Sequence, residues 1–206
     1  MRRPLGGGVD PDVLLCMGEL TRDELARERW LSSRPVRVLG THRRGVTMTE
    51  PTGPVRRAVC LVLPEGIREE ADILVRFALE AAACTPTTRF ILRSHPLLPP
   101  EQILDRPESK GRRPANVEVS EGRSLDDDLA RSGSMLYRGS STVVYGLLAG
   151  LKPFYVDRPG EITLDPLYRL AEWKVRVESV QEFTEALVAD DRLSDEARLV
   201  AWQTAA

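Results

Sequence analysis

Cysteine, histidine, long apolar runs and net charge are all scarce in this 206-residue sequence, and each scarcity excludes something. Cys16, Cys60 and Cys84 lie far apart among apolar neighbours, which suits reduced, buried thiols rather than disulfides. With only His42 and His95 beside them, no ligand set for structural zinc is visible, and neither metal nor cofactor is expected. No apolar run approaches the ~20 residues of a membrane span, and the stretch Met1 to Gly8 lacks the core of a signal peptide. A cytoplasmic protein without a membrane span is the expectation. The 29 basic and 31 acidic residues nearly cancel, so no overall field recruits nucleic acid. A dinucleotide-binding dehydrogenase is disfavoured because no Gly-x-Gly-x-x-Gly follows the first strand; Gly6-Gly7-Gly8 precedes any strand.

What is present is an alternation of short apolar runs with helical segments. Val13 to Cys16 reads as a strand, Thr21 as the cap of a helix over 22–30, and Val36 to Leu39 as a second strand. That βαβ-like unit cannot bury both its faces alone and should dock on something. From Gly45 to Arg57 the chain turns to Gly, Pro, Thr and Arg without periodicity, which is linker chemistry. Two domains are therefore expected: 1–54, a remnant of a preceding α/β domain plus linker, and 55–206.

The second domain reads as strand Val59 to Leu63, helix Arg68 to Cys84, strand Arg89 to Leu92, helix near Glu101 to Leu104 and strand Val117 to Val119. Helix Leu125 to Arg131, strand Met135 to Tyr137, a helix from Thr142, strands Phe154 to Val156 and Val175 to Val177, and helix Gln181 to Val188 follow. Ile73, Phe77 and Ala81 share one face of the long helix, 108–113 reads as a polar surface loop, and a capped apolar stripe predicts a closing helix over 194–202. Strands alternating with helices imply an α/β fold: a doubly wound, Rossmann-like parallel sheet with helices on both faces.

Ligands of such sheets bind at the carboxyl ends of the strands, where strand order reverses. In the common order 3-2-1-4-5-6 that crevice lies between the strands at 59–63 and 135–137. On its rim stand Pro64-Glu65-Gly66, Arg93-Ser94-His95-Pro96, Ser120-Glu121-Gly122, Gly139-Ser140-Ser141 and Asp157-Arg158-Pro159-Gly160-Glu161. Taken alone, Ser140, Ser141 and Thr142 only cap a helix. Beside the other loops they read as a phosphate site, hydroxyls and backbone N–H groups facing an anion. His95 either bonds a backbone carbonyl or reaches that phosphate, and its company favours the latter. His42 with Arg43 and Arg44 reads as a solvated basic turn.

His95-Pro96 and Ser140-Ser141 resemble the HP and SS motifs of bacterial sialyltransferases, polysialyltransferases and related capsule-sugar transferases. More broadly the chain is similar to the C-terminal, donor-binding half of a GT-B glycosyltransferase for surface or capsular polysaccharide synthesis. Lys152-Pro153 after Gly150, and Asp165-Pro166-Leu167, look like that half as well. The resemblance covers about residues 55 to 190, on the scale of a domain. It implies that His95, Ser140, Ser141 and Thr142 hold the phosphate of a CMP- or UDP-linked sugar, a CMP-linked one being first choice. Glu121 and Gly122, with Glu161, would hold the ribose and nucleotide; the other reading of Glu121 is an exposed loop carboxylate. Departure of a nucleoside phosphate needs stabilised negative charge, which these groups supply without metal.

The departures from the pattern carry their own expectation. In the sialyltransferase group the general base lies in the N-terminal domain, in an acidic-acidic-Gly motif; Pro64-Glu65-Gly66 resembles it but stands in the donor half. The segment 18–43 looks like the end of an N-terminal domain, so the chain resembles a transferase cut before its interdomain linker. It is expected to bind the nucleotide sugar, to lack the base, and to be completed by a separate acceptor-binding chain or a second copy. The alternatives are a non-catalytic nucleotide- or polyanion-binding module and an epimerase-like GT-B protein.

Overall fold

Val59-Cys60-Leu61-Val62-Leu63 is apolar at both alternating positions, so as a strand it must be covered on both faces. A computed structural model, which describes residues 11–28, 34–40, 58–104, 113–162, 165–170, 173–191 and 196, sets this run inside a parallel sheet. The chain forms two compact units, Met1–Gly45 and Val46–Ala206. The expected linker over 45–57, the His42 turn, most of the 108–113 loop and all but Glu196 of the expected closing helix lie outside the described residues.

In the first unit β1 (Leu14–Cys16) and β2 (Val36–Val38) pair in parallel across α1 (Glu19–Arg27). The helix starts ahead of the expected Thr21 cap. Gly18 stands at its N-cap in extended conformation without a side-chain cap, and Arg22 N–H bonds Gly18 O at 3.0 Å. Glu19 then pairs with Arg22 one turn on, an acidic residue at the helix start as the backbone dipole favours. Cys16 is buried, while Leu15 on the opposite strand face is 60% exposed.

The second unit comprises β3 (Val59–Leu63), α2 (Arg68–Cys84), β4 (Arg89–Leu92), α3 (Pro100–Leu104), β5 (Val117–Val119) and α4 (Leu125–Arg131), then β6 (Ser134–Tyr137), α5 (Val143–Leu148), β7 (Lys152–Val156), β8 (Val175–Val177) and α6 (Val180–Asp191). The six strands are all parallel in the order β5-β4-β3-β6-β7-β8. Counted from β3, this is the expected 3-2-1-4-5-6, a doubly wound α/β sheet. β7 begins at Lys152, not at Phe154: Pro153 offers no N–H and so reads as a strand breaker, yet it pairs in register opposite Met135.

Alternate strand residues feed two cores. Cys60, Val62, Phe90, Leu92, Leu136, Phe154 and Val156 pack with α2 and α6, where Phe183 meets Phe77 and Phe154 edge-on. Leu61, Leu63, Ile91, Met135, Tyr137 and Tyr155 pack with α4, α5 and Trp173 on the other face. The buried stripe of α2 is Ala71, Leu74, Val75, Ala78, Ala81 and Ala82. Ile73 lies at the edge of that stripe and is half-buried. Cys84, the last residue of α2, is exposed, contrary to expectation, since it lies off that stripe. Cys60 is buried, which pushes its thiol up to about 12 and keeps it unreactive.

Two polar centres tie the connections to these cores. Asp165 accepts from Tyr137 Oη–H at 2.8 Å, from Leu167 N–H at 2.8 Å and from Lys174 Nζ at 2.5 Å. Arg138, buried directly after β6, pairs with Glu70 on α2 and Glu161 after β7 and donates to Val156 O at 3.3 Å. Burial works against its charge, but the two carboxylates outweigh that and raise the guanidinium above its ordinary range.

Arg138→Ala leaves both carboxylates without their buried cation and is expected to cost about 3 kcal/mol, the low end for a broken buried pair because Glu161 is partly solvated. Tyr137→Phe leaves Asp165 its other two donors and should cost about 1 kcal/mol. Urea unfolding reads both as a lowered midpoint at unchanged slope. A wild-type midpoint for Arg138→Ala would show that the connections hold without it.

Candidate functional site

Connections leave β3 and β6 in opposite directions, which opens a crevice at their carboxyl ends. Because every strand is parallel, the loops after β3, β4, β5, β6 and β7 all emerge on this rim.

Two glycines let three of these loops meet. A Cβ on Gly66, after β3, would lie 2.7 Å from His95 Nδ1, after β4, so the imidazole rests directly on the glycine backbone. A Cβ on Gly139, after β6, would lie 2.5 Å from Glu65 Oε1, so the Glu65 carboxyl bridges the loops after β3 and β6 across the switch point. A side chain at either position would displace the His95 ring or the Glu65 carboxyl.

The His95 ring is oriented by a backbone donor: Leu97 N–H bonds its Nδ1 at 3.2 Å. That bond assigns the proton of the neutral ring to Nε2, which remains a donor. The expected alternative, a bond from the ring to a backbone carbonyl, is not the contact seen. Glu65 is half-buried, and burial is the main cause that raises its carboxyl above the ordinary range; the negative charge of Glu70 adds to it. Gly139 N–H and Arg138 pull the other way without cancelling the rise. Glu65 Oε1 and Ser94 Oγ are buried with no hydrogen-bond partner.

Ser140 is buried, Ser141 exposed and Thr142 half-buried. The expected helix from Thr142 is the short α5; Thr142 is its N-cap with helical dihedrals, φ −61° and ψ −21°, and no side chain caps it. The hydroxyl cluster is therefore not spent on capping this helix. Val143 N–H bonds Ser140 O at 3.1 Å, closing the turn that carries the three hydroxyl residues.

The other expected residues stand further out. Glu121 and Gly122 are exposed on the loop after β5, two strands from β3. That loop is pinned by Arg93, whose Nη1 donates to Arg123 O at 3.1 Å, Ser124 O at 3.2 Å and the buried Asp128 at 2.6 Å. Glu161 binds Arg138 and Arg158, so its carboxylate is occupied by the protein. Among the described residues no three His, Cys, Asp or Glu side chains group as a metal site, and no helix is long and apolar enough to cross a membrane.

Sequence reasoning set Glu65 and Ser94 on the rim without giving either a part in the phosphate site, and gave Arg138 no role. The signal for Glu65 and Ser94 was their place on the rim; for Arg138 it was an arginine directly after a buried strand. None of these says which side chain turns inward.

No family model matches the sequence, and no curated protein matches it. Solved structures match the fold. The GtfA/B complex aligns at TM-score 0.59 and 15% identity over 94% of this chain and 42% of its own. The pneumococcal O-GlcNAc transferase GtfA in complex with UDP and GlcNAc aligns at 0.57 and 14%, over 94% and 41%. The glycosyltransferase SnogD from Streptomyces nogalater aligns at 0.52 and 18%, over 93% and 51%. The chain thus spans between 41% and 51% of these structures. Its Rossmann-like α/β architecture is that of GT-B glycosyltransferases.

Proposed function

We propose that the unit Val46–Ala206 is the donor-binding half of a GT-B glycosyltransferase and holds the phosphate of a nucleotide sugar at the β3/β6 switch point. The supporting observation is the convergence there of His95, Glu65 and the Gly139–Thr142 turn, on a sheet of the matching strand order. His95 Nε2–H and the hydroxyls of Ser140, Ser141 and Thr142 donate to the phosphate oxygens. Glu121 and Gly122, on the loop held by Arg93, take the ribose; Glu161 acts through Arg138 by fixing the loop after β7.

Chemically, the bond from the anomeric carbon to the phosphate oxygen breaks, and negative charge grows on the departing nucleoside phosphate. Donors already aimed at those oxygens stabilise that charge without reorganising. The base that deprotonates the acceptor comes from an acceptor-binding half, a separate chain or a second copy. Surface or capsular polysaccharide synthesis in the cytoplasm, the role that the HP and SS motifs suggest, fits such a donor site. Both UDP and CMP stand as nucleotides; UDP accompanies the pneumococcal transferase in its structure.

Calorimetric titration with UDP and CMP is expected to show binding of one of them. His95→Ala and Ser141→Ala should each weaken it by roughly 1–3 kcal/mol, the scale of a charge-assisted hydrogen bond, with the fold intact. Unchanged affinity in both variants would remove the phosphate assignment. Binding without sugar transfer when candidate acceptor-binding chains are added would point instead to a non-catalytic nucleotide-binding module.

A further inference from the structure

The least expected group in the crevice is an acid. Glu65 lies against Gly139, immediately before the hydroxyl turn, and next to Gly66, on which His95 rests. A carboxylate there would repel the phosphate that its neighbours are suited to bind. A neutral carboxyl would instead offer one more donor.

We propose that Glu65 joins the donor site as a protonated acid, donating its O–H to a phosphate oxygen of the nucleotide sugar, so that binding takes up one proton from solvent. This inference rests on the reading of the site given above. Three observations carry it. Glu65 Oε1 is buried and unpartnered, so the ionised form is poorly solvated where it stands. The charged groups that face it are Glu70 from α2, which opposes ionisation, and Arg138 after β6, which favours it. Arg138 and Glu70 are paired with each other, so their opposite effects on Glu65 partly cancel and burial is the larger cause. Burial and Glu70 already push the carboxyl upward in the free protein, and an incoming anion pushes in the same direction.

The sign follows from linkage. If the phosphate prefers the protonated form, affinity is level while Glu65 is protonated and falls by about tenfold per pH unit above its midpoint, until the bound form also ionises. The other ionisable side chain at the site is His95, whose Nδ1 accepts from Leu97 N–H.

The experiment is calorimetry with a UDP-sugar and a CMP-sugar, whose phosphates do not titrate near neutrality, on the full chain between pH 5.5 and 8. Buffers of differing ionisation enthalpy count the protons taken up. Wild type should bind several-fold more weakly at pH 8 than at pH 5.5 and take up protons. Glu65→Gln, neutral and of equal size, should gain on wild type as the pH rises from 5.5 to 8 and lose the proton uptake. Without nucleotide, Glu65→Gln should also melt higher than wild type at pH 8, because a carboxyl raised in the folded state weakens the fold as it ionises. A lower melting point would overturn the proposal. In wild type, the carbon-13 shift of the Glu65 carboxyl should titrate at higher pH once nucleotide sugar is added. Binding with no proton uptake, a Glu65→Gln pH profile like that of wild type, or an unmoved Glu65 titration would overturn this role alone. No binding of either sugar nucleotide at any pH would overturn the site reading and this role together.

Discussion

A parallel sheet buried on both faces is the constraint on which the rest of the second unit depends. Parallel strands require crossovers, right-handed crossovers deposit helices on both sides, and every strand must then supply apolar residues at both parities. β3 meets that demand with Val59 to Leu63, and its odd and even residues go to separate cores. The same geometry collects all the loops that follow strands on one rim. The candidate site is thus a by-product of covering the sheet.

Covering the sheet leaves polar connections that have to be secured near its edge. Arg138 does this for α2 and the β7 loop, and Asp165 for Tyr137, Leu167 and Lys174. Both centres lie close to the crevice in sequence: Tyr137 and Arg138 immediately precede Gly139 and the hydroxyl turn. Rigid anchoring of those two residues limits how far the turn can move, and a binding turn benefits from being held before its ligand arrives.

The crevice has opposing electrostatic tendencies. His95 and the hydroxyls offer donors, Glu65 stands beside them as an acid, and Glu70 and Arg138 are paired with each other. An ionised carboxylate at that point would oppose an anion, whereas a neutral one would not. This sets the candidate apart from a purely basic phosphate pocket.

The order of strands and helices was legible from residue patterning, because burial on both faces demands contiguous apolar runs and solvent-facing helices demand amphipathic ones. The hydroxyl turn and His95 could be named for the same reason: topology alone sends every post-strand loop to one rim. Less local features were hidden. Pro153 concealed the start of β7, since register opposite Met135 depends on a neighbouring strand and not on propensity. The buried face of α2 leaves Ile73 at its edge, because packing decides which face meets the sheet. Cys84 emerged at the surface for the same reason. Above all, only tertiary structure decided how each acid of the rim is placed. It turned Glu161 onto Arg138, left Glu121 exposed, and brought Glu65 against Gly139. Side-chain direction and the distance between loops that are remote in sequence come from packing, and no local pattern encodes them.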